Sequence, residues 1–506
     1  MPDAPVSSGR IGRVVIVGCD EALWLAANVM WAAFRRSALE IVAVELPSRR
    51  AATDIIPTLS NQPTFHGLMQ IQEGPLMAAT QATYSLGQRF SEFGDPQPPF
   101  FHGYGPYGQP INRVPFHHYW VKARSRGLKV AFDDFSLSAV AARQARFFMP
   151  DAGTDGIDGG GYGYHLPAVA YGRVLKQIAL QRGISPVEGV LDEVLRDAET
   201  GDITAVALDN GRTVAGDFFI DATGADSRLL GTAMGADFVS WQSWFPCDRL
   251  LATYGPGLSP LPAFSEIKAF HSGWIGLFPL RDCTAIQIAY DGAETSEQQA
   301  LDAAARLTGM RFGAETFVRA YATGRRQSLW TGNCVGIGAA AAVFDPIGSV
   351  GLQAIMAGLV HLTTLFPIDR DMKAESAEYN RTLISTFERL RDFQIAPYAL
   401  NRRHGQPLWD RCRDMALPEK LAYRLDLFAA RGTVVEYDDE TFADHDWQAL
   451  LLGLGLIPRS YDPKADHTPD AEVIPRFQEM LGAISARVEA MSRMDAWLAP
   501  RPAPVA

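Results

Sequence analysis

The sequence predicts an α/β protein in which a sheet of the dinucleotide-binding type is combined with a β-rich lobe and a helical C-terminal region. A β-branched run at residues 13–18 closes on glycine, and it is followed by a helical pattern at 21–36 and by a second β-branched run at 41–45 that ends in an acid. Alternating apolar and aromatic residues between 240 and 290 predict a sheet. The pattern after residue 374 is mostly helical.

Composition limits the possible classes of protein. The net charge of −11 over 506 residues argues against a nucleic-acid binder, which needs an excess of lysine and arginine on one face. The cysteines lack metal-binding or disulfide spacing, which favours free thiols in a reducing compartment; they are Cys19, Cys247, Cys283, Cys334 and Cys412. We find no leader pattern and no run of about 18 apolar residues, so we expect a cytoplasmic protein with no membrane segment.

The rest of the chain predicts how the lobes alternate. Residues 51–163 are rich in proline, glycine and aromatic residues, which favours an irregular insertion that lines a site. A helix is predicted at 171–182, and a hairpin at 201–221 leads into a strand that ends in DATG at 221–224. A further strand ends in glycine at 332–338 and precedes an apolar helix at 350–366. Near the C-terminus, one apolar helix face is predicted from Trp447, Leu450, Leu451 and Leu454.

Five segments, in the same order, resemble those of the flavin-dependent tryptophan halogenase family. The βαβ unit comes first, and LMAATQATYSLGQRF at 76–90 resembles a family stretch that reads roughly ATxATFKLGIxF. GWIGLFP at 273–279 resembles the WxWxIP box, and FDPIGSVG at 344–351 fits FxPxxSxG at all four fixed positions. The segment from Trp447 to Pro463 resembles the family's closing helical segment. We therefore identify the chain as a divergent member of this family.

The resemblance implies a fold with an FAD-binding Rossmann-like module of the flavin monooxygenase type. We expect that module at about 11–50, 165–235 and 320–370, with the substrate lobe interleaved at about 51–164 and 236–319. A helical C-terminal region is expected over 371–498, followed by a flexible tail at 499–506. The implied cofactor is FAD, and the resemblance also implies an aromatic substrate, a flavin reductase if the protein is active, and possible homodimers or a paralogous partner.

Halogenation in the family needs two side chains that this sequence lacks. Hypohalous acid formed at the flavin reaches a lysine, and a glutamate assists its attack on an indole. Ser85 stands at the lysine position, and a short neutral hydroxyl can neither form a haloamine nor replace an ammonium group. Gly348 stands at the glutamate position and provides no carboxylate. We expect no catalytic residue at either position.

The turn after the first strand also departs from the family. Where the family reads approximately GGGTAGW, residues 18–24 read GCDEALW. Glycine allows the backbone to approach a pyrophosphate, but Asp20 and Glu21 place carboxylates there, and Leu23 replaces a further glycine. We expect weakened FAD binding. Alternatively, these acids cap the helix, with Asp20 as the N-cap. ATDIIP at 52–57 likewise keeps the proline of a family flavin loop but not its Gly-Glu pair.

Several positions that could contact the cofactor remain. The predicted cofactor contacts are Gly18, Glu45, Gly224, Gly338, Pro346, Ser349 and Gly351. Glu45 stands in the place of a ribose-binding acid, or is equally well a solvated carboxylate at a strand end. Trp274 and Phe278 are the predicted substrate-pocket residues, with a core role as the alternative for Trp274. The pair His117 and His118 lacks a third ligand at helical spacing, so we predict no metal site.

Three hypotheses of function follow. The first is a halogenase-like accessory protein that no longer halogenates, with weak or no FAD binding. The second is an FAD-dependent oxidoreductase or monooxygenase acting on an indole-like aromatic substrate, which would need neither the lysine nor the glutamate. The third is a genuine halogenase whose catalytic groups have moved elsewhere.

Overall fold

A six-stranded, mainly parallel sheet forms the nucleotide-binding half of the computed structural model, which describes residues 9–94, 97–150 and 159–499. The βαβ unit predicted at the N-terminus is present, with the first strand between its two neighbours, so that Ile16 lies beside Ile220 and Ala43. In order across the sheet, the strands are Trp330–Thr331, Cys334–Gly336, Phe218–Ala222, Arg13–Gly18, Glu40–Glu45 and Pro186–Glu188.

The first helix, Asp20–Phe34, is buried on nearly every side over its first three turns. It packs against the helices Ala168–Gln181 and Gly351–Thr364 as well as the sheet. A helix that is apolar on all sides needs neighbours on all sides, and the buried Ala and Leu residues of this helix make those contacts. The turn that precedes the helix is therefore held on a rigid support.

A seven-stranded sheet forms the second half of the fold. Its strands are antiparallel neighbours except that Ser265–Phe270 runs parallel to Gly87–Ser91. In order across the sheet, they are Thr316–Ala320, Arg249–Pro256, Cys283–Tyr290, Gly273–Pro279, Ser265–Phe270, Gly87–Ser91 and Phe100–Gly103. The helix Glu297–Thr308 packs on this sheet. The sheet predicted between residues 240 and 290 is confirmed, and residues from the segment 51–163 extend it.

The prediction of an irregular insertion at 51–163 is wrong for much of its length. Its additional strands are Ile55–Pro57 and Thr83–Ser85, which both pair with Gly163–Pro167, and its helices are Gln62–Leu68, Glu73–Thr80, Phe116–Ser125 and Leu137–Arg143. Proline here marks a boundary, since Pro115 directly precedes the helix Phe116–Ser125. The aromatic residues fill a core, where the Phe116 ring packs 4.7 Å from Phe135. Composition alone does not distinguish proline at helix boundaries and aromatic residues in a core from the same residues in a loop.

Two small sheets and a helical region complete the described structure. The small sheets comprise Leu191–Arg196, Ile203–Leu208 and Thr213–Ala215, and Phe238–Ser240, Gly324–Arg326 and Ala342–Val343. The C-terminal helices are Lys373–Ala399, Pro407–Asp414, Glu419–Arg431, Asp444–Gly453, Asp470–Ala490 and Met494–Leu498. The apolar face predicted near the C-terminus is confirmed by the burial of Trp447, Leu450, Leu451 and Leu454. Most of the predicted tail lies outside the described residues.

The long helix Lys373–Ala399 contacts both halves of the molecule. Asn380 accepts hydrogen bonds from the backbone of Leu329 and Trp330 at the edge of the six-stranded sheet. About four turns later, the Gln394 amide donates to the carbonyl of Asp345 at 2.6 Å, and near the end of the helix the Tyr398 hydroxyl accepts a 2.9 Å hydrogen bond from Trp274 in the seven-stranded sheet. The helix therefore connects the sheet edge with the turn that resembles the FxPxxSxG motif.

One described segment, Ile347–Thr364, is long and apolar enough to cross a membrane, whereas the sequence analysis expected none. Inside the fold 61% of this segment is buried, and its helix packs between the first helix and Lys373–Ala399. Apolar core helices satisfy the same length and composition test. Burial within the protein accounts for the composition of this helix.

Candidate cofactor and active site

Gly18 ends the first strand where the backbone of the adjacent strand approaches closely. A Cβ atom added at Gly18 would lie 2.3 Å from the carbonyl oxygen of Ala222 and 2.6 Å from its Cβ. Strand packing alone thus requires glycine at this position. The predicted cofactor role of Gly18 stays a prediction, because this packing would preserve the residue with or without a ligand.

Asp20 and Glu21 are both held by the segment that follows the second strand. The Asp20 carboxylate accepts hydrogen bonds from Ser48 Oγ at 2.5 Å and from the Arg49 backbone N–H at 2.9 Å. Glu21 is buried and forms a bidentate ion pair with Arg50, whose Nε donates at 3.1 Å. The alternative that Asp20 caps the helix is wrong, because Cys19 is the N-cap residue and the Asp20 carboxylate is bonded to Ser48 and Arg49 instead of to N–H groups of the helix.

Further ion pairs surround this turn. Arg49 pairs with Asp226 at 2.7 Å, and Arg319 pairs with Asp54, which is 1% exposed. Asp54 belongs to the segment 52–57 that resembles the family's flavin loop, and it also accepts the backbone N–H of Ala51 at 2.9 Å. Burial lowers the pKa of Arg319 to about 10. The acids and arginines near the turn therefore satisfy one another within the protein.

Glu45 lies at the end of the second strand, as predicted. Its carboxylate accepts a 2.5 Å hydrogen bond from Lys176 Nζ, and the same ammonium group lies 3.3 Å from Glu188. This lysine also sits 5.7 Å from the centre of the Trp24 ring. Glu45 is thus an ion-paired residue rather than a freely solvated carboxylate, and a role in ribose binding stays a prediction.

The structure brings the predicted glycines together near this turn. Gly224 has φ +83°, and an added Cβ would meet the Arg49 side chain at 3.5 Å. Gly338 has φ +63°, and its Cβ would lie 3.5 Å from Ala22 in the first helix. Both conformations are in the left-handed region that favours glycine. Gly18, Gly224 and Gly338 therefore converge on the N-terminal end of the first helix.

Pro346, Ser349 and Gly351 lie in or beside the turn that begins the helix Gly351–Thr364. Gly348, between them, is buried with φ +78°, and an added Cβ would meet Gln394 Cγ at 3.8 Å but no other atom within 4 Å among the described residues beyond its chain neighbours. The Ser349 hydroxyl accepts a 3.1 Å hydrogen bond from Gln88. The position that the resemblance assigns to glutamate therefore has space around it but carries no carboxylate.

Ser85 lies in the strand Thr83–Ser85 and is 1% exposed. Its hydroxyl donates to the carbonyl of Gly87 at 2.9 Å, a local bond that stabilises the turn into the next strand. Gln88, in that next strand, is the residue that contacts Ser349. The two positions at which the family carries lysine and glutamate thus lie in neighbouring segments, and both are occupied by groups without charge.

Trp274 and Phe278, the predicted pocket residues, are fully buried. The Trp274 indole donates to the Tyr398 hydroxyl at 2.9 Å, and the Phe278 ring packs 5.9 Å from the ring of His165. A Cβ at Gly276 would lie 2.7 Å from the Phe278 ring and 3.2 Å from Trp274. The two aromatic rings therefore occupy the space where the family's second tryptophan would begin.

Asp345, inside the FDPIGSVG segment, is a buried acid that sequence reasoning did not single out. Its carboxylate accepts hydrogen bonds from the hydroxyls of Tyr321 at 3.1 Å and Tyr398 at 3.2 Å, and from the backbone N–H of Ile347 at 3.0 Å. Burial raises its pKa to about 6, although these donors partly oppose the shift. Asp345 therefore links the turn to the Trp274–Tyr398 pair.

This raised pKa predicts a pH-dependent contribution to stability. Because the folded pKa lies above the unfolded value of 3.8, the contribution is fully present below pH 4 and is lost as the pH rises through 6. Between pH 4 and 7 the wild-type protein should lose about 2 kcal/mol of unfolding free energy relative to Asp345→Asn. Urea unfolding of both proteins across this range measures the difference. A constant difference would contradict the assignment.

The histidine pair is committed to structural contacts. His117 Nε2 donates to the carbonyl of Gly432 at 2.7 Å, and His118 Nδ1 accepts the backbone N–H of Asp462 at 3.3 Å. Burial lowers the pKa of His117 to about 3, so its ring is neutral. Within the ranges that the structure describes, no group of three or more His, Cys, Asp or Glu side chains could hold a metal ion.

Sequence reasoning also missed the arginines of the site. Arg50 follows Glu21 by 29 positions and Arg319 follows Asp54 by 265, and neither spacing belongs to a motif that predicts a contact. Asp345 could have been noticed, since it lies inside a matched motif. Its buried environment comes from Tyr321 and Tyr398, which only the fold brings together.

The parallel sheet with its βαβ entry, joined to the large mixed sheet, defines an α/β protein of the flavin monooxygenase type. The family model described as tryptophan halogenase matches residues 13–470. Tryptophan 7-halogenase RebH from Lentzea aerocolonigenes is 25% identical over 95% of this chain and 96% of its own length. The chain therefore belongs to the tryptophan halogenase family.

Solved structures give the same assignment. BrvH, a flavin-dependent halogenase from Brevundimonas sp. BAL3, is 32% identical and superposes with a TM-score of 0.91, covering 97% of this chain and 99% of that one. Xcc4156, a flavin-dependent halogenase from Xanthomonas campestris, is also 32% identical with a TM-score of 0.91, covering 98% and 100% of the two chains. The fold is thus shared over the whole length.

Proposed function

We propose that this protein is a member of the flavin-dependent halogenase family that does not halogenate, that binds FAD weakly or not at all, and that acts as an accessory protein. The observation that carries the proposal is the buried Glu21–Arg50 ion pair beside Asp20 in the turn after the first strand. A pyrophosphate would have to approach this turn against two carboxylates.

Electrostatics supports the weak binding of FAD. Free N–H groups and the partial positive charge at a helix N-terminus attract phosphate, but two acids in the first turn offset that attraction. Repulsion between like charges about 4 Å apart costs about 1 kcal/mol in water and more where water is excluded. Arg50, which could pair with phosphate, is already bound by Glu21. The residues present therefore do not suit the cofactor that the family implies.

The positions of the missing lysine and glutamate support the absence of halogen transfer. Ser85 is buried and its hydroxyl is engaged by Gly87, so it offers no ammonium group to hold hypohalous acid. At Gly348, general-base assistance, which is typically worth about 10²–10⁴-fold in rate, is lost. The rings of Trp274 and Phe278 occupy the space next to Gly276, so less room remains for a substrate beside the segment 273–279 that resembles the WxWxIP box.

The partners follow from the family and from the proposed role. RebH is a tryptophan 7-halogenase and BrvH is a flavin-dependent halogenase, so an aromatic small molecule is the proposed ligand class. A flavin reductase is a proposed partner only if some flavin chemistry remains. For an accessory role, the proposed assembly is a homodimer or a complex with a paralogous, active chain in the cytoplasm.

A flavin titration tests the proposal. Purified protein should be colourless, and oxidised or reduced FAD should show no saturable binding by fluorescence at micromolar concentration. Asp20→Gly with Glu21→Thr removes both charges and frees Arg50, so FAD affinity should rise by about tenfold or more. The matched control is Asp226→Asn, which removes a nearby acid that pairs only with the exposed Arg49. This control should change FAD affinity much less.

Tight FAD binding by the wild-type protein would contradict the proposal. With bound FAD, a flavin reductase, halide and indole, a chlorinated or brominated product detected by mass spectrometry would instead support the hypothesis of relocated catalytic groups. Oxygenation of indole without halogen would support the monooxygenase alternative. If wild-type protein and the double variant are both inert towards FAD, the loss of the cofactor site extends beyond these two acids.

A further inference from the structure

A cleft of about 300 Å³ lies apart from the site described above. The strand Phe100–Gly103 and the helix Asp444–Gly453 form two of its sides, and the helix Phe116–Ser125 contributes a third. None of the predicted cofactor or substrate-pocket residues lines it. Its volume is at the lower end of the range found for small-molecule sites.

The interior of the cleft is mainly aromatic and apolar. Phe101, Trp120, Phe132 and Leu452 line it, and each of these side chains is 6% exposed or less. The Trp120 ring meets Phe132 edge to face at 5.4 Å, so the wall is rigid. Flat aromatic walls of this kind favour a flat, apolar ligand.

Asp133 places a single acceptor inside this apolar wall. It is 7% exposed, and its Oδ2 accepts the backbone N–H of Phe101 at 3.0 Å. Asp133 is also the acid among the residues that line the cleft. A carboxylate that lines an otherwise apolar cleft is suited to accept a hydrogen bond from an N–H or O–H group of a ligand.

Two arginines provide positive charge where the cleft opens. Arg124 and Arg402 both line it and are both exposed to solvent. The Arg124 guanidinium lies 5.2 Å from the centre of the Trp120 ring, which orients it along the aromatic wall. Guanidinium groups bind carboxylates through paired hydrogen bonds. An anion at the mouth and an apolar ring inside would satisfy both parts of the cleft.

We propose that this cleft binds an aromatic carboxylate that carries a hydrogen-bond donor on its ring, as in an indole carboxylate. The ring lies against Trp120 and Phe101, the ring N–H donates to Asp133, and the carboxylate pairs with Arg124 and Arg402. This site needs no flavin. Binding here is therefore independent of whether the proposal for the cofactor site is correct.

Calorimetry and saturation-transfer NMR with indole-3-acetate test the proposal on the full chain. We expect saturable one-to-one binding in the submillimolar range. Arg124→Gln and Asp133→Asn should each weaken it by about tenfold, because each removes one charge-assisted hydrogen bond. Arg173→Gln, an exposed arginine on the helix Ala168–Gln181 outside the cleft, should leave it unchanged.

Two further ligands test the same contacts without any mutation, in case Asp133→Asn does not fold. 3-Methylindole lacks the carboxylate and 1-naphthaleneacetate lacks the ring N–H, so each should bind at least several-fold more weakly than indole-3-acetate. Absence of binding by indole-3-acetate at millimolar concentration would overturn the proposal. Equal binding of all three ligands, or binding unaffected by Arg124→Gln, would also overturn it.

Discussion

Asp392→Asn is expected to lower the free energy of unfolding by about 3 kcal/mol. Asp392 is 1% exposed and pairs with Arg389 at 3.1 Å and with Arg391 at 2.7 Å. Both arginines are themselves buried, so the amide would leave two positive charges in the core without a counter-charge. Urea unfolding at neutral pH measures the change.

Asp410→Asn is the matched control. Asp410 also pairs with an arginine three positions away, Arg413, but its side chain is 35% exposed. Water screens this ion pair, so the change should be below about 1 kcal/mol. A loss of less than 1 kcal/mol for Asp392→Asn would show that the buried arginines find other partners or hydration, and it would contradict the prediction.

Gly18→Ala is expected to destabilise the protein by about 3 kcal/mol, measured without any added flavin. The new methyl group would lie 2.3 Å from the Ala222 carbonyl oxygen and 2.5 Å from its carbonyl carbon. These are backbone atoms of a central strand, which cannot move aside as a flexible side chain could. Thermal and urea unfolding of the FAD-free protein measure the effect.

Gly351→Ala provides the comparison for this prediction. Gly351 is another predicted cofactor contact, but it is the first residue of a helix, and within the described parts of the chain no atom beyond its chain neighbours and its own helix backbone lies within 4 Å of an added Cβ. Its replacement should change stability by less than about 0.5 kcal/mol. If Gly18→Ala were as well tolerated as Gly351→Ala, strand packing would not explain why Gly18 is retained.

The sequence predicted the fold well, because its signals are local or come in order along the chain. The first strand, its helix and the second strand were recognisable from β-branched runs and helical spacing, and the family assignment was confirmed by the match over residues 13–470. The segment 51–163 was misjudged because proline and aromatic residues serve helix boundaries and a core as readily as loops.

The site was predicted less completely. Positions such as Ser85 and Gly348 could be found because they stand inside motifs. The ion-pair partner of Glu21 could not be predicted, because Arg50 comes from a different part of the fold. Likewise, Trp274 could be placed in the box GWIGLFP, but its bond to Tyr398 joins residues 124 positions apart. Contacts between distant segments depend on packing, and a single sequence does not encode them in a readable spacing.

The helix Lys373–Ala399 has a mechanical consequence. Asn380 bonds the helix to the edge of the six-stranded sheet, and Tyr398 bonds it to Trp274 of the seven-stranded sheet, so the two halves cannot separate without breaking bonds to one continuous helix. Any opening large enough to admit a bulky molecule between the two halves must therefore bend or move the helix Lys373–Ala399 as a unit.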